Sequence, residues 1–259
     1  MKKPTFAKYA RLPHAELVNE LKRSKVRDAI LSEEDMPIDS SVLFDGMARL
    51  VQGMTHRLFP LGEIPDYEPA PDASIVAIAE RLGTSPLEVL YDYMLEDDGH
   101  AMAMMPIFNY VSGNHDAIRE MLLHPQSVSG LSDGGAHCGM ICDASIPTFM
   151  ISHWARDRSR GEKLPLEWVI KKQTNDTASL YGLKDRGTIE VGKRADINVI
   201  NFDALSLSGP RMVHDLPAGG RRLLQEAHGY EYTIVAGAVT RDHGEDTGAR
   251  PGRLIRGAR

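Results

Sequence analysis

The stretch KQTNDTASLYGLKDRGTIEVGKRADINVINFD (residues 172–203) marks a change in the chain from helical to strand-like sequence. Its first part continues a helix predicted over residues 166–180, whereas from Gly187 onward apolar and polar residues alternate and glycines stand at the turns. This alternation is typical of antiparallel strands with one buried face. The sequence therefore predicts a boundary between a first domain of residues 1–185 and a small β-sandwich-like domain of residues 186–259.

The part before this boundary alternates predicted helices with short apolar strands. Helices are expected over residues 1–35, 73–82, 86–95, 114–123 and 148–156, and buried strands over residues 101–110 and 127–131. A Pro- and Gly-rich segment, residues 36–74, predicts a long connection with one short strand. Strand–helix alternation is typical of right-handed βαβ units with a parallel sheet. These strands are too few for a whole (β/α)8 barrel, which needs eight.

The composition is that of a globular protein and excludes several classes of partner. The 259 residues carry 36 acidic and 30 basic side chains, so the formal net charge is −6. A net acidic chain without a run of five Lys or Arg disfavours nucleic acid as a partner. No apolar stretch approaches the ~20 residues that cross a bilayer, and the basic N-terminus lacks the apolar segment of a signal peptide. With two cysteines, no disulfide framework is expected, and the predicted location is the cytoplasm.

The segment LSDGGAHCGMICD (residues 131–143) holds the main candidate for catalysis. Asp133 directly follows a predicted buried strand, and in parallel α/β folds the carboxyl ends of strands are where ligands bind. A carboxylate there can ligate a metal ion and accept a proton from water, as hydrolytic metal sites require. The alternative is that Asp133 only caps the following Asp-Gly turn, and on spacing alone this structural role is the more common one.

Other possible metal ligands give weaker signals. His137 is a candidate ligand, proton shuttle or substrate-binding residue, or else a residue that orders the loop by hydrogen bonding. Cys138 and Cys142 suggest zinc because thiolates bind it well, but a structural site needs four ligands, and a buried, unreactive pair is the alternative. The sequence contains neither His-x-His nor His-Glu-x-x-His. The remaining histidines, among them His115 and His153, are expected at the surface or in loops.

Three further residues are candidates for substrate contact. Asn109 and Tyr110 end a predicted strand and are expected at the same mouth as Asp133, whereas the alternative is packing and a strand-end turn. Arg158 stands in an arginine-rich segment after the Asp133 loop and is a candidate to bind a substrate carboxylate bidentately. A solvated basic helix end is the alternative for Arg158.

Three segments together resemble the C-terminal half of the amidohydrolase superfamily, and among its members the N-acyl-D-amino-acid deacylase (D-aminoacylase) branch. They are residues 131–158, 172–203 and 232–257. The second is the most specific, with a T-x-x-x-A-x-x-x-G-L helix end, a G-x-I-x-x-G-x-x-A-D turn and an apolar strand. The resemblance covers nearly the whole chain. It implies the last strands and helices of a (β/α)8 barrel followed by a small β domain.

The resemblance also implies a reaction and a cofactor. Asp133 matches the aspartate that is a metal ligand and general base in the family, so it would take a proton from the attacking water and return it to the leaving amine. The expected reaction is zinc-dependent hydrolysis of a C–N bond other than a peptide bond, in an N-acyl amino acid or a related amide. Residues 101–110 would form the seventh barrel strand, and residues 36–74 an insertion on the active-site side.

Three hypotheses follow from this resemblance. Family members carry a His-x-His pair and further ligands in an N-terminal half that has no counterpart here, so this chain is expected to bind zinc poorly alone. In the first hypothesis it is the C-terminal portion of the enzyme, completed by the missing half on a separate chain. In the second it is a non-catalytic remnant that serves as an interaction or structural module and forms a homo-oligomer through an exposed half-barrel edge. The third is a self-contained metal site formed by Asp133, His137, Cys138 and Cys142.

Overall fold

Short helices with clear sequence signals build the first part of the chain. The computed structural model describes residues 2–37, 54–106, 108–130 and 139–256. Helices α1 to α5 span Pro4–Tyr9, His14–Leu21, Ser24–Ser32, Ile75–Leu82 and Pro86–Met94, and 3₁₀ turns span Thr55–Arg57, Pro71–Ala73 and Asp97–Gly99. The predicted helices over residues 1–35, 73–82 and 86–95 are confirmed, the first of them as three separate helices.

Residues at the ends of α4 and α5 explain where these helices begin and end. Gly83 ends α4 in the left-handed conformation (φ 66°), which glycine adopts without steric cost. Ser85 begins α5 with a capping box, in which its hydroxyl accepts the backbone N–H of Glu88 (3.2 Å) and the Glu88 carboxylate accepts the N–H of Ser85 (3.0 Å). Hydrogen bonds from Thr84 and then from Ser85 lower the pKa of Glu88 to about 2.

The core of this part joins α2 and α3 to α5. Leu21, Val26, Ile30 and Tyr91 form a buried cluster. The Tyr91 hydroxyl donates a hydrogen bond to the backbone carbonyl of Leu21 (2.8 Å), which satisfies a polar group inside an apolar cluster. Helical periodicity therefore places one apolar face of each helix in a common core.

The strand pairing in the described residues differs from the predicted parallel sheet. Strand β1 (Phe59–Pro60) pairs antiparallel with β2 (Ala103–Met104). The predicted strand over residues 101–110 is wrong in length, since two of its residues pair, and the described residues 127–130 lie in no strand. All strand pairs in the described ranges are antiparallel, so a partial (β/α)8 barrel stays a prediction, whereas the mixed α/β class is confirmed.

Helices of the second part contain two π-helical turns. Helices α6 to α9 span Asp116–Leu123, Ile146–Ser152, Leu166–Lys171 and Thr177–Leu180, and a 3₁₀ turn spans Asp143–Ser145. A π turn, His153–Asp157, continues α7, and a second, Lys172–Asp176, connects α8 to α9. The predicted helices over residues 114–123, 148–156 and 166–180 are thus confirmed. Apolar residues of these helical elements, joined by Leu164 and Leu205 from the segments between elements, form a core cluster. Its other members are Met150, Ile151, Trp154 and Val169.

Antiparallel strands follow, as the alternating sequence predicts. Strands β3 to β10 span Ile197–Ile200, Ser206–Leu207, Arg211–Leu216, Gly220–Leu224, Ala227–His228, Tyr230–Val235, Ala238–Asp242 and Glu245–Asp246, and a 3₁₀ turn spans Pro217–Gly219. One sheet has the order β10-β9-β8-β3, and β4 pairs with β7 and β5 with β6.

The chain forms two compact units. The first comprises residues 1–62 and 66–114, and the second comprises residues 63–65 and 115–259. The boundary at residue 185 and the β-sandwich-like domain stay predictions. In the described ranges, none of the helices combines the length and the apolar character that crossing a membrane requires.

Replacing Ser85 with alanine removes the hydroxyl that caps α5. We expect Ser85→Ala to lower the free energy of unfolding by about 1 kcal/mol, the usual cost of losing an N-cap. Urea denaturation followed by circular dichroism measures this change. The matched control is Ser179→Ala at an exposed position of α9, which should change stability by less than about 0.5 kcal/mol. If Ser85→Ala and wild type have the same free energy of unfolding, the Ser85 hydroxyl does not stabilise the helix.

Candidate functional site

Two histidines of the second unit lie close together, and each stands at the start of a helical element. His115 is the residue that precedes α6, and His153 is the first residue of the π turn that continues α7. The π turn is closed by a hydrogen bond from the backbone N–H of Arg158 to the carbonyl of His153 (2.8 Å). Single π turns inside α-helices are frequent at functional sites. The local backbone thus sets the direction of both imidazole side chains.

The two imidazoles form a close, shielded pair. Their ring centroids lie 5.6 Å apart with an interplanar angle of 75°, and a ring nitrogen of one lies within 4.8 Å of a ring nitrogen of the other. His115 is 8% exposed and His153 is half-buried. Nδ1 of His115 and Nε2 of His153 are both shielded from solvent. The pair therefore presents two nitrogen donors in an enclosed setting.

Aromatic rings hold this histidine pair in place. Phe149 stacks on His153 with centroids 4.5 Å apart and planes at 12°, and Trp154 stacks on His115 at 5.9 Å and 28°. Phe149 and Trp154 also contact the other histidine of the pair edge-on. We call these four residues the aromatic cluster. Because Trp154 belongs to the hydrophobic core, the cluster is anchored in packed protein.

The donor set of the pair fits a transition-metal ion. Neutral imidazole nitrogens are common ligands of zinc, and catalytic zinc sites use about three protein ligands. His115 and His153 supply two such donors within the second unit. Imidazole donors are compatible with zinc, and the identity of the metal ion stays a prediction.

Asp133, His137 and Cys138 lie outside the described residues, so their predicted roles stay predictions. The chain just before them is held at Ser127, whose backbone carbonyl accepts a hydrogen bond from the buried ammonium group of Lys172. The Ser127 hydroxyl donates to carbonyls at the end of α6. A buried Lys requires such partners, because an unpaired charge inside a protein is costly.

Cys142 is half-buried and carries a free thiol. Burial, followed by the charge of Asp143, raises the pKa of this thiol. The self-contained metal site, which also includes Asp133, His137 and Cys138 outside the described residues, stays a prediction.

Asn109 and Tyr110 belong to the first unit, and they differ strongly in exposure. Asn109 is exposed and adopts a left-handed backbone conformation (φ 60°), which asparagine tolerates better than most residues. Tyr110 is buried, and its hydroxyl donates to the backbone carbonyl of Pro69 (2.6 Å). The expectation of a turn at the end of this segment fits both residues, and substrate contact by either stays a prediction.

Arg158 lies inside the protein rather than at a solvated helix end. Its side chain has no exposed surface, and its guanidinium donates to Asp116 Oδ1 (2.7 Å) and to the carbonyl of Glu162 (2.8 Å). The guanidinium also lies over the ring of Trp154, 4.8 Å from its centroid. These contacts rule out the solvated alternative, whereas a contact with a substrate carboxylate stays a prediction.

The expectation of a surface or loop position was wrong for His153, which belongs to the π turn after α7, whereas His115 does lie in a loop, at the residue before α6. His115 is buried and His153 is half-buried, and they pair although they are far apart in the sequence. No short-range spacing motif could reveal this pair. The available signal was weaker, since His153 is followed by a tryptophan within a predicted amphipathic helix, which indicates a position close to the core.

The family comparison agrees with a hydrolytic metal site. The model of the amidohydrolase family matches residues 1–241 of the chain. Members of this class are in general metal-dependent hydrolases. The chain therefore belongs to the amidohydrolase family. No curated protein and no solved structure matches the sequence.

The buried hydroxyl of Tyr110 gives a direct test of its role. We expect Tyr110→Phe to lower the free energy of unfolding by about 1 kcal/mol, because it removes the hydrogen bond to the Pro69 carbonyl. Thermal and urea denaturation measure this change. Tyr181→Phe is the matched control, since Tyr181 is 74% exposed. Unchanged stability of Tyr110→Phe would contradict a structural role for the hydroxyl and leave it available for substrate.

Proposed function

We propose that this chain is part of a zinc-dependent amidohydrolase that cleaves a C–N bond other than a peptide bond. The observation that carries this proposal is the shielded imidazole pair, His115 and His153, in a chain that matches the amidohydrolase family over residues 1–241. Two nitrogen donors fixed by aromatic packing suit a metal ion that must keep its geometry during catalysis. We further propose that Asp133 completes the catalytic set.

The proposed mechanism assigns separate tasks to the histidines and to Asp133. His115 and His153 would hold the metal ion through ring nitrogens. When bound, zinc would supply Lewis acidity toward an amide carbonyl and toward water near neutral pH. Asp133 accepts a proton from the attacking water and returns it to the leaving amine nitrogen. This return matters because an amine leaves an amide only once its nitrogen is protonated.

We propose an N-acyl amino acid, or a related small amide, as the substrate class. The support for this choice is the resemblance of residues 131–158 and 172–203 to the D-aminoacylase branch. Asn109, Tyr110 and His137 are the proposed substrate-binding residues, whereas the fully buried guanidinium of Arg158 is paired with Asp116. We also propose that an N-terminal half carrying a His-x-His pair, or a second copy of this chain, supplies the remaining metal ligands.

Zinc binding tests the assignment of the histidines. We expect the wild-type chain to bind zinc measurably, although more weakly than a complete site would. We expect His115→Ala or His153→Ala to weaken this binding by more than about 100-fold, because losing a ligand exceeds the about 10–100-fold cost of losing a supporting group. Competition with a chromophoric chelator measures the affinity. The exposed His56→Ala is the control. Equal zinc affinity in all four proteins would exclude the histidine pair as the metal site.

Hydrolysis of an N-acyl-D-amino acid tests the role of Asp133. The chain is assayed with zinc, alone and together with an N-terminal half of a D-aminoacylase that carries the His-x-His pair. We expect Asp133→Asn to lower kcat by about 10²–10⁴-fold, the usual contribution of general acid–base catalysis. Its circular dichroism spectrum and melting temperature should match those of wild type. An unchanged kcat would exclude Asp133 as the general base.

The alternative function is a non-catalytic interaction module. One observation favours it: Ile189 and Val191, in the turn before β3, are 87% and 108% exposed. Leu180 and Tyr181 nearby in sequence are also largely exposed. Exposed apolar side chains concentrated in one segment are typical of protein–protein contacts. If the experiments above detect neither zinc binding nor hydrolysis, the results favour this alternative.

A further inference from the structure

The buried guanidinium of Arg158 is the most unusual charged group in the described part of the second unit. Its side chain has no exposed surface, and it is ion-paired with Asp116 (Nη2 to Oδ1, 2.7 Å). Removing a charge from water is costly unless partners with good geometry compensate for it. A structure that retains such a group has to provide a dedicated set of partners. The surroundings of Arg158 show such a set.

The arginine lies in a space that only a glycine leaves open. A Cβ atom at Gly161 would lie 2.5 Å from Nη2, 2.6 Å from Cζ and 2.7 Å from Nη1 of Arg158. The carbonyl of Glu162, the next residue, accepts a hydrogen bond from Nη1 (2.8 Å). The Trp154 ring lies against the guanidinium at 4.8 Å, a favourable cation–π distance. Segment 161–162, Asp116 and Trp154 thus fix the guanidinium from three directions.

Two of these partners also determine the position of His115. Asp116 is the neighbour of His115 in the chain and the first residue of α6, so an anchored Asp116 carboxylate fixes the backbone at this helix start. Trp154 stacks directly on the His115 ring and is the chain neighbour of His153. Arg158 therefore contacts the residue next to each of the two histidines.

We propose that Arg158 is a positioning residue that holds His115 and His153 in the geometry of the metal site. This inference rests on the proposed function, because it is the proposed metal site that requires the two imidazole rings to keep their orientation. Groups that support metal ligands restrict ligand orientation, and their loss weakens metal binding although they do not touch the ion. Arg158 acts through Asp116 on the backbone at His115, and through Trp154 on both imidazole rings.

Zinc affinity of the full chain tests this inference. The test variants are Arg158→Met, which keeps length but removes charge and hydrogen bonds, and Gly161→Ala, which displaces the guanidinium without changing it. The matched controls are Arg253→Met at an exposed position and Gly252→Ala, where a Cβ meets open space. We expect both test variants to weaken zinc binding about 10–100-fold and both controls to leave it unchanged.

A second measurement on the metal-free protein separates positioning from a general loss of stability. In spectra of protein with ¹³C-labelled histidine, we expect ring signals of His115 and His153 to shift in Arg158→Met and Gly161→Ala, at temperatures where circular dichroism shows a folded chain. Arg158→Lys, which keeps the charge but not the planar fork, should give an intermediate affinity. If Arg158→Met does not fold, the zinc affinities and histidine ring signals of Arg158→Lys and Gly161→Ala test the inference instead.

The outcomes distinguish this inference from the proposed function. If wild type binds zinc and the folded test variants bind it equally well, Arg158 is not a positioning residue, and the proposed function stands. If wild type binds no zinc, the assignment of His115 and His153 as metal ligands fails. The ring signals then decide the inference, because unchanged histidine signals in the test variants would overturn it and shifted signals would support it.

Discussion

The side chain of Trp154 connects the candidate site to the hydrophobic core of the second unit. Its indole is buried in the core cluster, its ring stacks on His115, and the guanidinium of Arg158 lies over it. Its backbone carbonyl accepts a hydrogen bond from the N–H of Leu164 (2.8 Å), which fixes the main chain at the same point. Protein interiors are packed as densely as organic crystals, so a buried indole cannot move without disturbing its neighbours. The geometry of the histidine pair therefore depends on the packing of this core.

The local features of the fold could be predicted from the sequence. Gly83, Ser85 and Pro86 mark the end of one helix and the start of the next because capping depends on residues within one turn. The alternating sequence after Gly187 likewise predicts antiparallel strands, and the structure contains them. The pairing of β1 with β2 could not be predicted, because it joins segments that are distant in sequence and only two residues long. Pairing partners depend on tertiary packing, which no short window contains.

The candidate site was predictable only in part, for a similar reason. A resemblance identifies Asp133 from its neighbours in sequence, whereas His115 and His153 become a pair only when α6 and α7 pack together. Arg158 could be recognised as a candidate for binding a carboxylate, but the sequence did not show that Asp116 would provide one. Whether an arginine is buried depends on what surrounds it in three dimensions. Sequence reasoning therefore found the residue type and missed its environment.

The two π turns affect how this chain has to be aligned with its relatives. A π turn closes with an i→i+5 hydrogen bond, as between His153 and Arg158, and so holds one more residue than a regular helical turn. Each residue of an α-helix adds about 100° of rotation, so an ungapped alignment to a relative with uninterrupted helices would misassign every side-chain direction beyond the turn. A one-residue gap within His153–Asp157, and another within Lys172–Asp176, would restore the correspondence. Position-by-position comparison with a relative whose helices are uninterrupted here needs that register correction.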